Sequence, residues 1–304
     1  MNFALPSFLS ARFFSTVVAV LGALVWLPSA AEAQLFVQLS KKEPVFVAHE
    51  PVNVLLTLSN RTGRKIKLAG PSGRSWLNFQ VKNHRGNLMS PRENAPIMKP
   101  ITLASGEQKT YKVNLNAVYP VNRFGNYRVL ASVYEPGSAK YFDSNSEVVT
   151  IDDPRPFWQR EINYKGRGKR MSLHKFRGTN DITLYFRMAD VPSGVVERTY
   201  ALGKMLSINP PQIQIDGSNR LHVLYQHEPR EWVYAKVNAN GKFDDQSTHS
   251  EVPGNRPKLV LTPAGKAYVT GGMSAAEKAV DLRKAWANQT RLRKLSERPA
   301  DLRF

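Results

Sequence analysis

Apolar and polar residues alternate at every second position, in short runs broken by turn residues, and this pattern most limits what the chain can become. Val52-Asn53-Val54-Leu55-Leu56-Thr57-Leu58, Trp76-Leu77-Asn78-Phe79-Gln80-Val81 and Tyr111-Lys112-Val113-Asn114-Leu115 each sort their side chains onto two faces of an extended segment. A period of two suits a half-buried strand, whereas a helix would scatter the same apolar residues around its surface. Between the runs lie Asn60-Arg61-Thr62-Gly63-Arg64, His84-Arg85-Gly86-Asn87 and Ser105-Gly106-Glu107, rich in residues that accept turn geometry. Short strands of this kind, repeated at turn intervals over residues 35–152, predict a β-sandwich.

Two segments of that region resemble a known fold group. Glu50-Pro51-Val52-Asn53-Val54-Leu55-Leu56-Thr57-Leu58-Ser59-Asn60 is similar to the opening strand of bacterial immunoglobulin-like accessory domains of the proteinase-inhibitor-like and macroglobulin-like kind. Phe124-Gly125-Asn126-Tyr127-Arg128-Val129 resembles their closing hairpin. The resemblance implies an immunoglobulin-like sandwich and transfers no activity or site residue, because such folds host many functions.

Asp152-Asp153-Pro154-Arg155-Pro156 reads as a break in regular structure, so residues 153–170 are expected to form a basic linker. Its cluster Lys165, Arg167, Lys169 and Arg170 is the candidate contact for a polyanion. Residues 171–272 read as a second β domain with an internal echo. Pro211-Gln212-Ile213-Gln214-Ile215 and Asn219-Arg220-Leu221-His222-Val223 recur 46 residues later as Pro257-Lys258-Leu259-Val260-Leu261 and Gly265-Lys266-Ala267-Tyr268-Val269. A strand-rich repeat of this length matches a propeller blade. The run from Pro211 through Tyr225 to Trp232-Val233-Tyr234-Ala235-Lys236 resembles blades of sialidase-like propellers, although the turn from Asn238 to Phe243 lacks their Asp and Trp.

The two ends of the chain read differently. Arg12, an apolar core from Phe13 to Leu27, Pro28 and the Ala31-Glu32-Ala33 ending before Gln34 follow the plan of a signal peptide over residues 1–33, with cleavage between Ala33 and Gln34. The expected address is secreted or periplasmic, with no transmembrane segment in the mature chain. At the other end Ser274-Ala275-Ala276-Glu277 is a capping box that predicts a helix over 274–298, with 299–304 as a tail beyond Pro299.

Charge and chemistry narrow the function. The chain carries a net charge of +19 and no cysteine, so disulfides and a lipid-bearing cysteine are both excluded. For an exported protein the partners implied are an anionic polysaccharide or another envelope component, with a protein partner also open and no specific nucleic acid. No catalytic constellation emerges. Gly70-Pro71-Ser72-Gly73-Arg74 misses a nucleophile elbow, and His222 and His227 are separated by an odd number of residues on a strand. Asp216, Glu228, Glu231, Asp244 and Asp245 are the candidate carboxylates for a glycosidase pair, and Asp216 and Asp244-Asp245 read better as turn and loop residues. No metal, cofactor or catalytic residue is assigned. The expected function is a non-enzymatic, β-rich binding or structural module of the cell envelope. The alternatives are a degenerate sialidase-like hydrolase or a proteinase inhibitor.

Overall fold

The computed structural model describes residues 34–71, 74–95, 98–281 and 283–284. The described residues are mostly β, arranged as several antiparallel sheets without a closed barrel among them, with a short C-terminal helix. It divides into two compact units. Residues 1–33, with Ala33 of the expected cleavage site, lie outside the described part, as do 285–304. Gln34, the other side of that site, is exposed, and its carbonyl accepts a hydrogen bond from Arg61 N at 3.1 Å. No helix among the described residues is long and apolar enough to cross a membrane.

Chain order opens with β1 (Leu35–Lys41), β2 (Val45–Val47), β3 (Asn53–Asn60), β4 (Ile66–Leu68), β5 (Leu77–Lys82), β6 (Ile101–Leu103), β7 (Gln108–Asn114), α1 (Leu115–Val118), β8 (Gly125–Glu135) and β9 (Lys140–Asp152). In the first unit β1, β3 and β7 form one sheet, β4 pairs with β6, and β5 pairs with β8 from Leu77↔Val133 to Lys82↔Arg128. The period-two reading holds residue by residue. Val54, Leu56 and Leu58 of β3 are fully buried while Leu55 and Thr57 are not, and β5 buries Leu77, Phe79 and Val81 against exposed Asn78, Gln80 and Lys82. Trp76 is completely enclosed, and its indole N–H donates to Lys99 O at 2.8 Å, so the ring enters the core without an orphaned donor.

Asn60 ends β3 as a buried hub. Its Nδ2 donates to the carbonyls of Arg64 (2.7 Å), Ala104 (2.8 Å) and Leu103 (3.1 Å), and its Oδ1 accepts from Thr62 N (3.0 Å) and Thr62 Oγ1 (2.7 Å). The side chain therefore holds the 60–64 turn against the 103–104 corner. Such a site is tolerable inside a core only because every polar atom is satisfied.

The unit boundary differs from the expected 35–152. Segments Glu43–Val52 and Asn114–Tyr127 belong with the second unit. Local pairing explains the first of these. β2 runs parallel to the end of β9 (Val45↔Thr150, Phe46↔Ile151, Val47↔Asp152), and Arg187 Nη2 donates to Ala48 O at 3.0 Å.

Beyond β9 come β10 (Pro156–Tyr164), β11 (Arg167–Arg177), β12 (Ile182–Asp190) and β13 (Val196–Met205), a four-stranded up-and-down sheet in sequential order. The expected basic linker is thus corrected: most of 153–170 is the β10–β11 hairpin. Its two-residue turn places Lys165 at φ 51° and Gly166 at φ 78°, the backbone a tight hairpin requires. Charge density misled the sequence reading, because strands at an exposed sheet edge tolerate charged side chains.

A second meander follows: β14 (Gln212–Ile215), β15 (Leu221–Glu228), β16 (Glu231–Val237) and β17 (Phe243–Ser250). A hairpin of β18 (Lys258–Leu261) and β19 (Ala267–Thr270) comes next, and then β20 (Met273–Ser274) at the β17 edge. The two meanders share one core. Met171, Leu173, Leu184 and Phe186 of the first pack with Leu221, Val223, Tyr225 and Val233 of the second. The 46-residue echo is reproduced in register: Gln212↔Leu224 and Ile215↔Leu221 correspond to Lys258↔Thr270 and Leu261↔Ala267. The two hairpins also touch, through Gly217 N to Gly265 O at 2.9 Å and Leu259 N to Gln212 Oε1 at 2.8 Å. The capping box forms as read, with Glu277 N donating to Ser274 Oγ (3.2 Å) and Ser274 N to Glu277 Oε2 (2.7 Å), and helical residues start at 275.

Gly203 shows how closely the meanders fit. Its φ is +147°, and a Cβ there would lie 2.6 Å from Tyr225 Oη, which donates to Leu202 O at 2.9 Å. Gly203→Ala is therefore expected to destabilise the protein by about 2 kcal/mol through strain and displacement of a buried ring. Chemical denaturation checks this, and an unchanged midpoint would contradict the packing described.

Candidate functional site

In an up-and-down sheet alternate turns lie at the same end. Here the turns after β10, β12, β14, β16 and β18 share one end, and hydrogen bonds tie them together. Asn219 Nδ2 donates to Asn163 O (3.1 Å), Tyr200 Oη to Gly241 O (3.1 Å) and Arg198 Nε to Asn240 O (3.3 Å). Three of these turns are the same five-residue device. In Asp216–Arg220, Asn238–Lys242 and Thr262–Lys266 the first residue's N–H donates to the fifth residue's carbonyl, at 3.0, 2.9 and 2.8 Å. The fourth residue sits at positive φ (Asn219 57°, Gly241 74°, Gly265 73°). The first side chain accepts from the fifth residue's N–H, through Asp216 Oδ1 (2.9 Å), Asn238 Oδ1 (2.9 Å) and Thr262 Oγ1 (3.0 Å). Asx- and hydroxyl-anchored turns of this kind explain the Asp, Asn and Thr at the first position.

The fifth position is always a cation: Arg220, Lys242 and Lys266. The β10–β11 hairpin adds Lys165 and Arg167, and Arg198 is the third residue of β13. Lys165, Arg167, Arg198, Lys242 and Lys266 form no ion pair among the described residues, whereas Arg220 is bound to Asp216. A cavity of about 460 Å³ opens among the cations, lined by Tyr164, Lys165, Arg167, Lys169, Glu197 and Arg198 among others.

The four basic residues singled out from the sequence separate. Lys165 and Arg167 line the cavity, with Lys165 Nζ 5.5 Å from the Tyr164 ring centre. Lys169 is buried and held between two carboxylates, Asp190 Oδ1 at 2.9 Å and Glu197 Oε1. The Glu197 and Asp190 hydrogen bonds raise the pKa of Lys169, and Ser193 together with Lys169 brings that of Asp190 down to about 2. Arg170 points to the opposite face of β11 and binds Glu161 Oε1 through Nε (3.1 Å) and Nη2 (2.7 Å). Sequence reading missed Arg198, Lys242 and Lys266. The basic residue repeated after each Gly or Asn turn was the available signal, and it needed the sheet order to become a cluster.

Potential catalytic groups are committed elsewhere. Asp216 is enclosed, accepting from Ser218 N (2.9 Å), Arg220 N (2.9 Å), Arg220 Nε (2.7 Å) and His222 Nε2 (3.0 Å). Burial pushes its pKa up, but these hydrogen bonds outweigh burial and hold it at about 2. His222 Nδ1 lies 2.7 Å from Tyr234 Oη, and burial lowers its pKa. An N–H donated from Nε2 leaves Nδ1 to accept from Tyr234, so the chain works with a neutral imidazole. His227 bonds instead to Lys204 O at 2.9 Å, so the two histidines do not share a site.

Glu228 and Glu231 face each other across the turn at the far end of β15. An eight-residue strand spans about 24 Å, well beyond the roughly 5 to 9.5 Å separation of a glycosidase pair. Asp216 with Glu231 is therefore not such a pair. Asp244 is held by Lys236 at 3.1 Å. Ser172 Oγ lies 2.9 Å from His174 Nε2, whose Nδ1 lies 2.6 Å from Pro154 O, a nucleophile-like pairing absent from the sequence reading. Ser172 and His174 are only 6% and 2% exposed, too enclosed for a substrate to reach the hydroxyl. No group of three or more His, Asp or Glu side chains among the described residues is placed to hold a metal ion. No protein-family model matches the chain, and no curated protein matches it significantly.

Proposed function

We propose that this is an exported, non-enzymatic binding module of the cell envelope, and that it holds anionic polymer on the cationic end of its second unit. One observation carries the reading: the five-residue turns bearing Lys242 and Lys266, the β10–β11 hairpin bearing Lys165 and Arg167, and the start of β13 with Arg198 bring these cations to the same end of adjoining sheets. Cations presented from several rigid turns attract a chain of negative charges without recognising a single small ligand. The signal-peptide pattern of residues 1–33 supports export, which makes envelope polysaccharide or phosphate-rich polymer the relevant polyanion. The first unit, read as an immunoglobulin-like sandwich, and the second, read as consecutive propeller-like blades, then serve as scaffolds.

The charge-reversal triple variant Arg167→Glu, Arg198→Glu, Lys242→Glu tests the site. Wild type is expected to bind a heparin column and elute with salt, whereas the variant elutes at much lower salt. The slope of log affinity against log salt should fall by about one for each ionic contact removed, as counterion release requires. Equal elution of both proteins would reject the site.

A further inference from the structure

We propose a second, separate binding site in the second unit, a groove for an uncharged saccharide. The groove encloses about 940 Å³, and all its lining residues belong to that unit. It lies on the face of β11–β13 turned away from the shared core. Leu184 and Phe186 of β12 point into that core, so Thr183 and Tyr185 point out of it. Thr183 and Ala201 contribute little bulk, which leaves the concavity open. Aromatic groups bound it: Phe176 meets Tyr185 edge to face at 6.2 Å, and Phe124 is 72% exposed. A second hollow of about 560 Å³ shares the 177–182 turn and Lys204, so the depression extends along the tip of the β11–β12 hairpin.

Its charge is unlike that of the rest of the molecule. Asp181 Oδ2 and Lys204 Nζ neutralise each other at 2.6 Å. Arg177, Glu43 and Asp152 also line the groove. On a chain of net charge +19, this is a place where carboxylates match or exceed cations. A polyanion is repelled by Glu43 and Asp152, and a simple cation meets Arg177 and Lys204. A neutral sugar ring suits both features. Its C–H face covers an exposed aromatic such as Phe124, while its hydroxyls donate to the carboxylates and accept from Arg177 and Asn180. The two-part shape accommodates more than one ring.

Calorimetric titration of the intact protein with the neutral tetramer chitotetraose, with tetragalacturonate and with tetralysine tests this. Chitotetraose is expected to bind with an affinity unchanged by salt. It should bind about tenfold more weakly to Phe124→Ala, an exposed position that leaves the fold intact, and not at all to Thr179→Trp, which fills the groove from an exposed turn. The charge-reversal triple variant at the cationic end should bind it normally, which separates this site from the polyanion site. Absence of chitotetraose binding, binding indifferent to Phe124→Ala and Thr179→Trp, or preferential binding of tetralysine would overturn the proposal.

Discussion

Asn60→Ala is expected to destabilise the first unit by about 3 kcal/mol, the largest effect of any single polar substitution there. The side chain is completely buried and makes five hydrogen bonds, three of them to backbone carbonyls, of which the one to Leu103 O is itself buried. Truncation removes the Asn60 partner of the Leu103 and Ala104 carbonyls and of the Thr62 N–H, while Thr62 Oγ1 and Arg64 O keep each other, and the cost of unmet buried groups exceeds the net worth of the bonds themselves. Asn60→Asp is expected to be worse than Asn60→Ala, because a carboxylate would face three carbonyl oxygens with no N–H to give. Urea denaturation followed by tryptophan fluorescence, with Trp76 as the reporter in the same core, measures both. A loss below about 1 kcal/mol for Asn60→Ala would mean that the turn is held by its backbone alone.

Asp216 is the second position with a large expected effect, and its signature is a pH dependence. The carboxylate has a pKa of about 2 in the fold against 3.8 for the free side chain. A depressed carboxylate contributes stability that is fully present above the unfolded value and is lost as pH falls through the folded value. The contribution is about 2 kcal/mol, disappearing between roughly pH 4 and pH 2. His222 acts in the same direction at higher pH. Its burial-depressed pKa means that the unfolded chain takes up the proton first as pH drops below the ordinary histidine value of 6.5. Asp216→Asn should therefore lower Tm at neutral pH and flatten the pH dependence of Tm in the acid range relative to wild type. Parallel Tm–pH curves for the two proteins would show that Asp216 is not the group responsible. The substitution should leave polyanion binding intact apart from the release of Arg220, since the other cations are held by their own turns.

Much of the local structure was legible in the chain because it depends on near neighbours. The strands of residues 52–58 and 77–81 follow from alternation alone. The capping box at Ser274 and Glu277 follows from spacing, and the paired hairpins at 212–224 and 258–270 from a repeat visible at 46 residues. The basic segment 153–170 was misread because charge was weighed above pairing. Gly166 needs only its neighbour at positive φ to close a hairpin, and the charged side chains then sit on strand faces. The unit boundary was misplaced for a related reason. What assigns Glu43–Val52 to the second unit is pairing with Thr150–Asp152 and a bond to Arg187, and neither is near it in sequence.

The candidate site divides in the same way. Sequence alone determined the turn chemistry: an Asp, Asn or Thr to anchor the loop, a Gly or Asn that accepts positive φ, and a cation after it. These are nearest-neighbour requirements of a five-residue turn, and they hold wherever the turn is placed. Tertiary structure decided which charges act together. Lys169 and Arg170 lie within three residues of Arg167 in the chain, yet Arg170 faces the other side of the strand, and carboxylates from β10, β12 and β13 neutralise both. Arg198, Lys242 and Lys266 are distant from Arg167 in the chain. They join it because antiparallel strands return every second turn to the same end of a sheet, and because one shared apolar core packs the two meanders together.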